Sequence, residues 1–251
     1  HRVDTVAFDK TGTLTQGQPT VKTIQVLRGD RQAVIDQAVA IEQQSDHPLA
    51  QAITQLTTSH NLHPTAVQTF KGRGIQAQVA GQQYFLGNLD LIKSKVDTDD
   101  ALDDAVRRLT QAGKSVVIFA SADLTALAIF AIQDQLRPQA TAALRQLKSL
   151  GIRRLVMLTG DNVGTAAQIA TNLPIDEYHA AMLPKDKAQF IENERHQGHR
   201  VAFVGDGIND SPALSAADVA IAMGSGTDVA MDVADLVLVK SDLAVLAAGV
   251  Q

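Results

Sequence analysis

With 251 residues, 45% of them hydrophobic, 20% charged and 4% aromatic, the chain has a globular composition and the length for one large domain or two smaller ones. That composition excludes disorder and collagen-like order, and a net charge of −5 without a concentrated basic face argues against a nucleic-acid partner. Absence of cysteine excludes a disulfide framework and a thiolate metal site, which suits a reducing compartment.

The first apolar run, "VDTVAF", is short and β-rich, as a strand covered on both faces should be. From about Val21 to Gln133 the pattern changes. Two helical stretches, Arg31 to Gln44 and Pro48 to Ser59, precede three short alternating strands, "AVQTF", "IQAQV" and "QYFLG". A helix follows near Asp99 to Ala112, with Asp103/Arg107 and Asp104/Arg108 at the stabilising i,i+4 spacing. "SVVIFA" and "TALAIFAI" then read as a hairpin around Ala122 and Asp123. This antiparallel α+β stretch reads as an inserted domain with hinges near residues 20 to 24 and 132 to 137. The domains expected are therefore 1–22 with 133–251, and 23–132.

Beyond the insert, a helix starts after Pro138, expected as its first residue, and repeats Ala140, Ala143, Leu144, Leu147 and Leu150 up to Gly151. "RRLVML", "RVAFVG", "DVAIAM" and "DLVLV" are further short strands with helical patterns between them. Strands alternating with helices predict an α/β fold with a parallel sheet. No apolar run approaches the roughly 20 residues that cross a bilayer, so the chain reads as soluble. It opens at His1 rather than Met, inside a strand approach, and so reads as a piece of something longer.

Reactive groups of open parallel sheets collect beyond the carboxyl ends of the strands. Asp9 follows "VAF" there, Thr159 and Asp161 follow "RRLVML" in "LTGD", and Asp206 follows "RVAFV" in "VGDGIND". An aspartate after a strand is commonly a turn or cap residue, and "TGD" is an ordinary turn composition. Their joint appearance, each after a β-like run, is what points to chemistry. Asp9, Asp161 and Asp206 at one sheet end would repel one another without a cation among them, so a hard, oxygen-liganded ion such as Mg²⁺ is expected. Asp9 can then attack a phosphoryl group, with "KTGTLT" supplying amides and hydroxyls and Lys187 a fixed positive charge. No pKa shift is needed, because an aspartate is ionised near neutrality.

"DKTGTLT" at 9–15, "TGDN" at 159–162 and "GDGINDSPAL" at 205–214 resemble the catalytic core of the P-type cation-transporting ATPases, a branch of the haloacid dehalogenase superfamily. The resemblance spans essentially the whole chain. It implies a haloacid dehalogenase-like parallel-sheet P-domain carrying an inserted α+β, antiparallel-sheet nucleotide-binding N-domain. It also implies that Asp9 takes the γ-phosphate of ATP, that the Thr11 carbonyl and Asp206 hold Mg²⁺ with it, and that Asn209 and Asp210 order the metal site. Thr159 and Asp161 then belong to the phosphate-binding loop, and Lys187 in "PKDK" pairs with the phosphoryl charge. Asp134 and Arg137 in "DQLRP" resemble the hinge motif, the aspartate reaching the ribose and the arginine lying near the phosphates.

"SDHPLA" at 45–50 and "KGRGI" at 71–75 resemble the heavy-metal (P1B) branch, with Glu42, His47, Gly72 and Gly74 forming the adenine pocket. A histidine before proline would otherwise be a helix-start residue. The implied ligands are ATP and Mg²⁺. The implied partners are an actuator domain and membrane helices of the same parent chain, with N-terminal metal-binding domains as a further expectation. The site would face the cytoplasm from a membrane.

"AMGSGTDVAMDVADLVLV" resembles the copper pumps more than the zinc and cadmium ones, so Cu⁺ is the expected cargo and Zn²⁺, Cd²⁺ or Co²⁺ the alternative. Position 11 is Thr where the superfamily's phosphatases carry a second, general acid–base Asp, so a phosphorylated Asp9 should be long-lived. Two other readings stand beside this one: a free-standing phosphatase with a cap domain, and a nucleotide-binding regulatory module that never phosphorylates itself.

Overall fold

The computed structural model describes residues 2–56, 61–207, 210–223 and 236–237. Two units emerge, one formed by His1–Gln18 with Asp134–Gln251 and the other by Pro19–Gln133.

The first unit is built on a wholly parallel sheet. Its strands are β1 (Thr5–Asp9), β8 (Arg154–Leu158), β9 (Glu177–His179), β10 (Val201–Gly205), β11 (Val219–Ala222) and β12 (Leu236–Val237), in the order β12-β11-β10-β1-β8-β9. Alternation along each strand sends side chains to opposite faces. Val6, Phe8, Leu155, Met157 and Val204 pack on one side against α5 (Ala140–Ser149) and α6 (Val163–Thr171). Ala7, Val156, Leu158 and Phe203 pack on the other against α7 (Pro184–His196) and α8 (Ser211–Ala216). Both faces are therefore dry, which explains why these strands read as continuous apolar runs. The sheet is wound in both directions from β1, so β8 and β10 flank it and three strand ends meet at a topological switch point.

The second unit carries the sheet order β2-β7-β6-β5-β4-β3. The strands are β2 (Thr15–Arg28), β3 (Thr65–Phe70), β4 (Gly74–Val79), β5 (Gln82–Gly87), β6 (Ser115–Ser121) and β7 (Leu127–Leu136), and β3 through β7 pair antiparallel. Helices α1 (Arg31–Glu42) and α2 (Pro48–Thr54) cover one face through Val34, Ile41 and Ile53. Helices α3 (Leu89–Lys95) and α4 (Asp100–Gln111) cover the other through Ile92, Leu102 and Val106. Among the described residues no helix is long and apolar enough to cross a membrane.

Several local expectations are corrected. The two stretches expected to join the domains are strand for much of their length, β2 running from Thr15 to Arg28 and β7 to Leu136. Pro138 lies in the turn before α5, whose N-cap is Gln139, so it precedes the helix instead of starting it. Asp103 pairs with Lys93 of α3 at 2.6 Å, and Arg107 pairs with Asp104 at 3.0 Å, so a tertiary partner displaced the expected i,i+4 pair. Helix α2 ends at Thr54, and residues 57–60 of the helix expected there lie outside the described residues.

Candidate active site

Asp9 is the last residue of β1, in register with Leu158 at the end of β8. The loop Lys10–Leu14 then turns away with non-helical backbone at Thr11 (φ −71°, ψ 124°) and Gly12 (φ 76°, ψ −5°). Gly12 is required twice over: its φ lies in the left-handed region, and a Cβ there would stand 3.2 Å from that of Asp206. The missing side chain lets the loop after β1 pass directly over the loop after β10.

Asp9, Asp206 and Asp210 converge, each offering a carboxylate oxygen within 4.8 Å of the others. Asp210 is fully buried at the start of α8, and its Oδ2 has no hydrogen-bond partner among the described residues. Lys187, on the first turn of α7, reaches between them, with Nζ 2.9 Å from Asp9 Oδ1 and 3.2 Å from Asp210 Oδ1. The ammonium thus contacts two of the three grouped carboxylates, and a set of oxygen ligands of this kind suits a hard divalent cation.

Burial pushes the Asp9 carboxyl well above the ordinary aspartate range, the charge of Asp210 adds to it, and Lys187 only partly offsets them. Sequence reasoning, which took Asp9 as ionised without help, missed this because burial and Asp210 are tertiary features. For Lys187, burial works against the ammonium, but Asp9 and Asp210 together outweigh it and raise its pKa. A bound dication would reverse the pressure on Asp9, since a metal charge overrides the local balance.

Thr159 is buried, and its Oγ1 accepts from the Asp161 amide at 3.1 Å. Neighbouring backbone holds this loop: the Thr159 amide donates to His179 O, and the Ala181 and Met182 amides donate to Asp161 O and Thr159 O. Asp161 itself does not join the carboxylate cluster. It pairs with buried Lys10 at 2.5 Å, so the third acid of the cluster is Asp210 and not Asp161. No sequence signal marked the Lys10–Asp161 pair, which joins loops some 150 residues apart. Asn209 lies outside the described residues.

In the second unit Glu42, His47, Gly72 and Gly74 line one cavity of about 180 Å³, walled by Phe70, Ile75, Leu86 and Val117. That is smaller than the roughly 300 Å³ and more that engulfs a drug-sized ligand, and suits a single flat ring system. Glu42 is buried, and burial lifts its carboxyl to about 7. His47 caps α2, its Nδ1 accepting from the Leu49 amide at 3.2 Å, which leaves the neutral ring's proton on Nε2. Desolvation lowers its pKa. Gly74 faces β5, not open space: a Cβ there would lie 2.1 Å from Leu86 O. Its small size therefore serves strand approach.

Asp134 and Arg137 do not line this cavity. Asp134 accepts from Thr15 Oγ1, Gly17 N and Gln18 N, and Arg137 donates to Gly12 O and Thr13 O.

This architecture, a doubly wound parallel sheet with an acidic switch point and an inserted antiparallel unit, finds its match among known proteins. The family model for haloacid dehalogenase-like hydrolases matches residues 3–218, and the chain belongs to that family. More particularly, it is 41% identical over 244 residues to the copper-exporting P-type ATPase of Vibrio cholerae, covering 96% of this chain and 26% of that protein. It is equally 41% identical over 245 residues to the zinc-transporting ATPase of Bacillus subtilis, covering 96% of this chain and 38% of that protein. The chain thus spans well under half the length of these relatives. A solved structure of the catalytic domain of the CPx-ATPase CopB-B, described for its conformational changes upon nucleotide binding, superposes with a TM-score of 0.74 at 28% identity. There the match covers 99% of this chain and 90% of the other.

Proposed function

We propose that this chain is the phosphorylation and nucleotide-binding core of a heavy-metal-transporting P-type ATPase, in which Asp9 accepts the γ-phosphate of ATP. The observation that carries the reading is Asp9 at the mouth of the central strand, held by Lys187 at 2.9 Å and grouped with Asp206 and Asp210. A carboxylate so placed can act as nucleophile if its charge and that of the incoming phosphoryl group are balanced.

Asp9, Asp206 and Asp210 would hold Mg²⁺, with the Thr11 carbonyl that the resemblance adds. The ion would neutralise charge on the transferred group and on the carboxylates. Lys187 supplies a second, permanent positive charge, and Thr159 a hydroxyl and an ordered backbone at the phosphate-binding loop. The cavity of the second unit binds the adenine ring, with Glu42 and His47 as its polar groups. In the parent protein, membrane helices carry the ion and an actuator domain removes the phosphate, at the cytoplasmic face.

The cargo is a heavy-metal ion. The tail after Ala222 favours Cu⁺, whereas equal identity to a copper and a zinc transporter leaves Zn²⁺ as the second reading. Stimulation of ATP hydrolysis by Cu⁺ or by Zn²⁺ in the full-length protein decides between them.

The test of the core reading is labelling with [γ-³²P]ATP and Mg²⁺, followed by acid quench and hydroxylamine treatment. Acid-stable, hydroxylamine-labile label mapped to Asp9 is expected. Label on another residue, or none in the full-length protein, would refute it.

A further inference from the structure

Two side chains of the 134–138 segment grip the catalytic loop from outside it. Arg137 donates to three successive carbonyls: its backbone N–H to Leu14 O at 2.9 Å, Nε to Thr13 O at 2.9 Å and Nη2 to Gly12 O at 2.8 Å. Asp134 accepts from the stretch that follows, from Thr15 Oγ1 at 2.5 Å, Gly17 N at 3.2 Å and Gln18 N at 3.1 Å. Between Gly12 and Gln18, only Gln16 is not held by this pair.

A loop with no regular repeat does not by itself point three carbonyls in one direction. Thr11 and Gly12 break helical geometry, and the guanidinium supplies the fixed fork of donors that gathers the oxygens. Across a trans peptide the carbonyl of one residue and the amide of the next are antiparallel. Fixing Gly12 O and Thr13 O therefore also turns the amides of Thr13 and Leu14 away from Arg137. Thr15 closes the arrangement, its hydroxyl accepting from the Gly12 amide at 3.2 Å while lying against Asp134.

We infer that Arg137 and Asp134 are positioning residues for phosphoryl transfer, acting by shaping the loop that follows Asp9 and not by holding the nucleotide. Both already spend charged atoms on residues 12–18. The inference rests on Asp9 being the phosphoryl acceptor.

The test uses the full-length protein with Arg137→Lys, Thr15→Val and Thr15→Ser. Three quantities are measured: phosphoenzyme formed from Mg²⁺ and ATP, phosphoenzyme formed from Mg²⁺ and inorganic phosphate without nucleotide, and ATP affinity without Mg²⁺. A lysine keeps the charge but offers a single nitrogen where the guanidinium uses Nε and Nη2 in a fixed fork. Arg137→Lys and Thr15→Val are expected to slow both phosphorylation reactions about tenfold to a hundredfold, the penalty of a misplaced reacting group. Both should also need more Mg²⁺ for half-maximal labelling. ATP affinity should not change, and Thr15→Ser should restore both reactions. If Arg137→Lys does not fold, the two Thr15 variants decide the matter by themselves.

Loss of ATP affinity with labelling from inorganic phosphate at the wild-type level would overturn the inference and make Arg137 a nucleotide ligand. Unchanged labelling from both donors would overturn it too, as would Thr15→Ser behaving like Thr15→Val. A wild-type protein labelled by neither donor would instead remove the acceptor reading itself, and this inference with it.

Discussion

At the strand ends of the first unit, Asp9, Asp206 and Asp210 crowd around Lys187, whereas in the second unit Glu42 faces a mainly apolar cavity with no ion pair among the described residues. Both places push a carboxyl upward, and burial is the leading cause in each. They differ in what opposes it. Asp9 has an ammonium in contact, while Glu42 has none among the described residues. Lys187 thus partly offsets burial at the first place, whereas at Glu42 burial acts alone and raises the carboxyl.

Asp9→Asn tests the comparison most severely. It should reduce phosphoenzyme from ATP to background and leave ATP affinity unaltered, because the altered group lies outside the unit that carries the ring cavity. Equal loss of both would erase the distinction.

Lys187→Met comes next. It leaves Asp9 and Asp210 buried together without their cation, and breaking a buried pair costs about 3–5 kcal/mol. The loss should appear as a lowered melting temperature that Mg²⁺ repairs more strongly than in the wild type. Absence of Mg²⁺ rescue would break the claim that this end is a cation site.

Glu42→Gln sharpens the other half. The folded carboxyl titrates near 7 and the unfolded one near 4.5. Between those values the folded state binds more protons, so stability falls as pH rises, by about 3 kcal/mol in all. Glutamine should abolish that fall and leave the variant more stable than wild type above pH 7 in denaturant titrations. A pH slope unchanged by the substitution would show that Glu42 is not its source.

The smallest effect belongs to His47→Asn, which retains a helix-capping oxygen and removes the ring. Loss of a stacking partner is worth about 1 kcal/mol, so ATP affinity should drop roughly threefold to tenfold with the melting temperature preserved. Calorimetric titration with ATP reads this directly.

The parallel sheet was legible because both of its faces are dry: "VDTVAF", "RRLVML", "RVAFVG" and "DVAIAM" are uninterrupted apolar runs. β2 was not, since most of its side chains are exposed or half-exposed and it carries neither alternation nor a run. β9, of three residues, and α3, of seven, are too short to show a period. At the site, the motifs marked Asp9, Thr159, Lys187 and Asp206. Their pairing was hidden: Asp161 has Lys10 and Asp210 has Lys187, contacts across loops that no local spacing encodes. Likewise "DQLRP" was visible as a motif, but its targets at Gly12 to Gln18 depend on the fold.

The order of the pieces along the chain has a consequence for biosynthesis. Asp9 is made long before Lys187, Asp206 and Asp210, which come nearly two hundred residues later. At about 5–20 residues per second, the ribosome leaves roughly 10–40 s between them. Within that interval the uninterrupted stretch Pro19–Gln133 is completed. Asp9 meanwhile lacks Lys187, Asp206 and Asp210, the side chains that gather around it in the folded unit. On the proposed reading of Asp9 as acceptor, a nascent chain is kept chemically silent by nothing more than the position of that aspartate in the sequence.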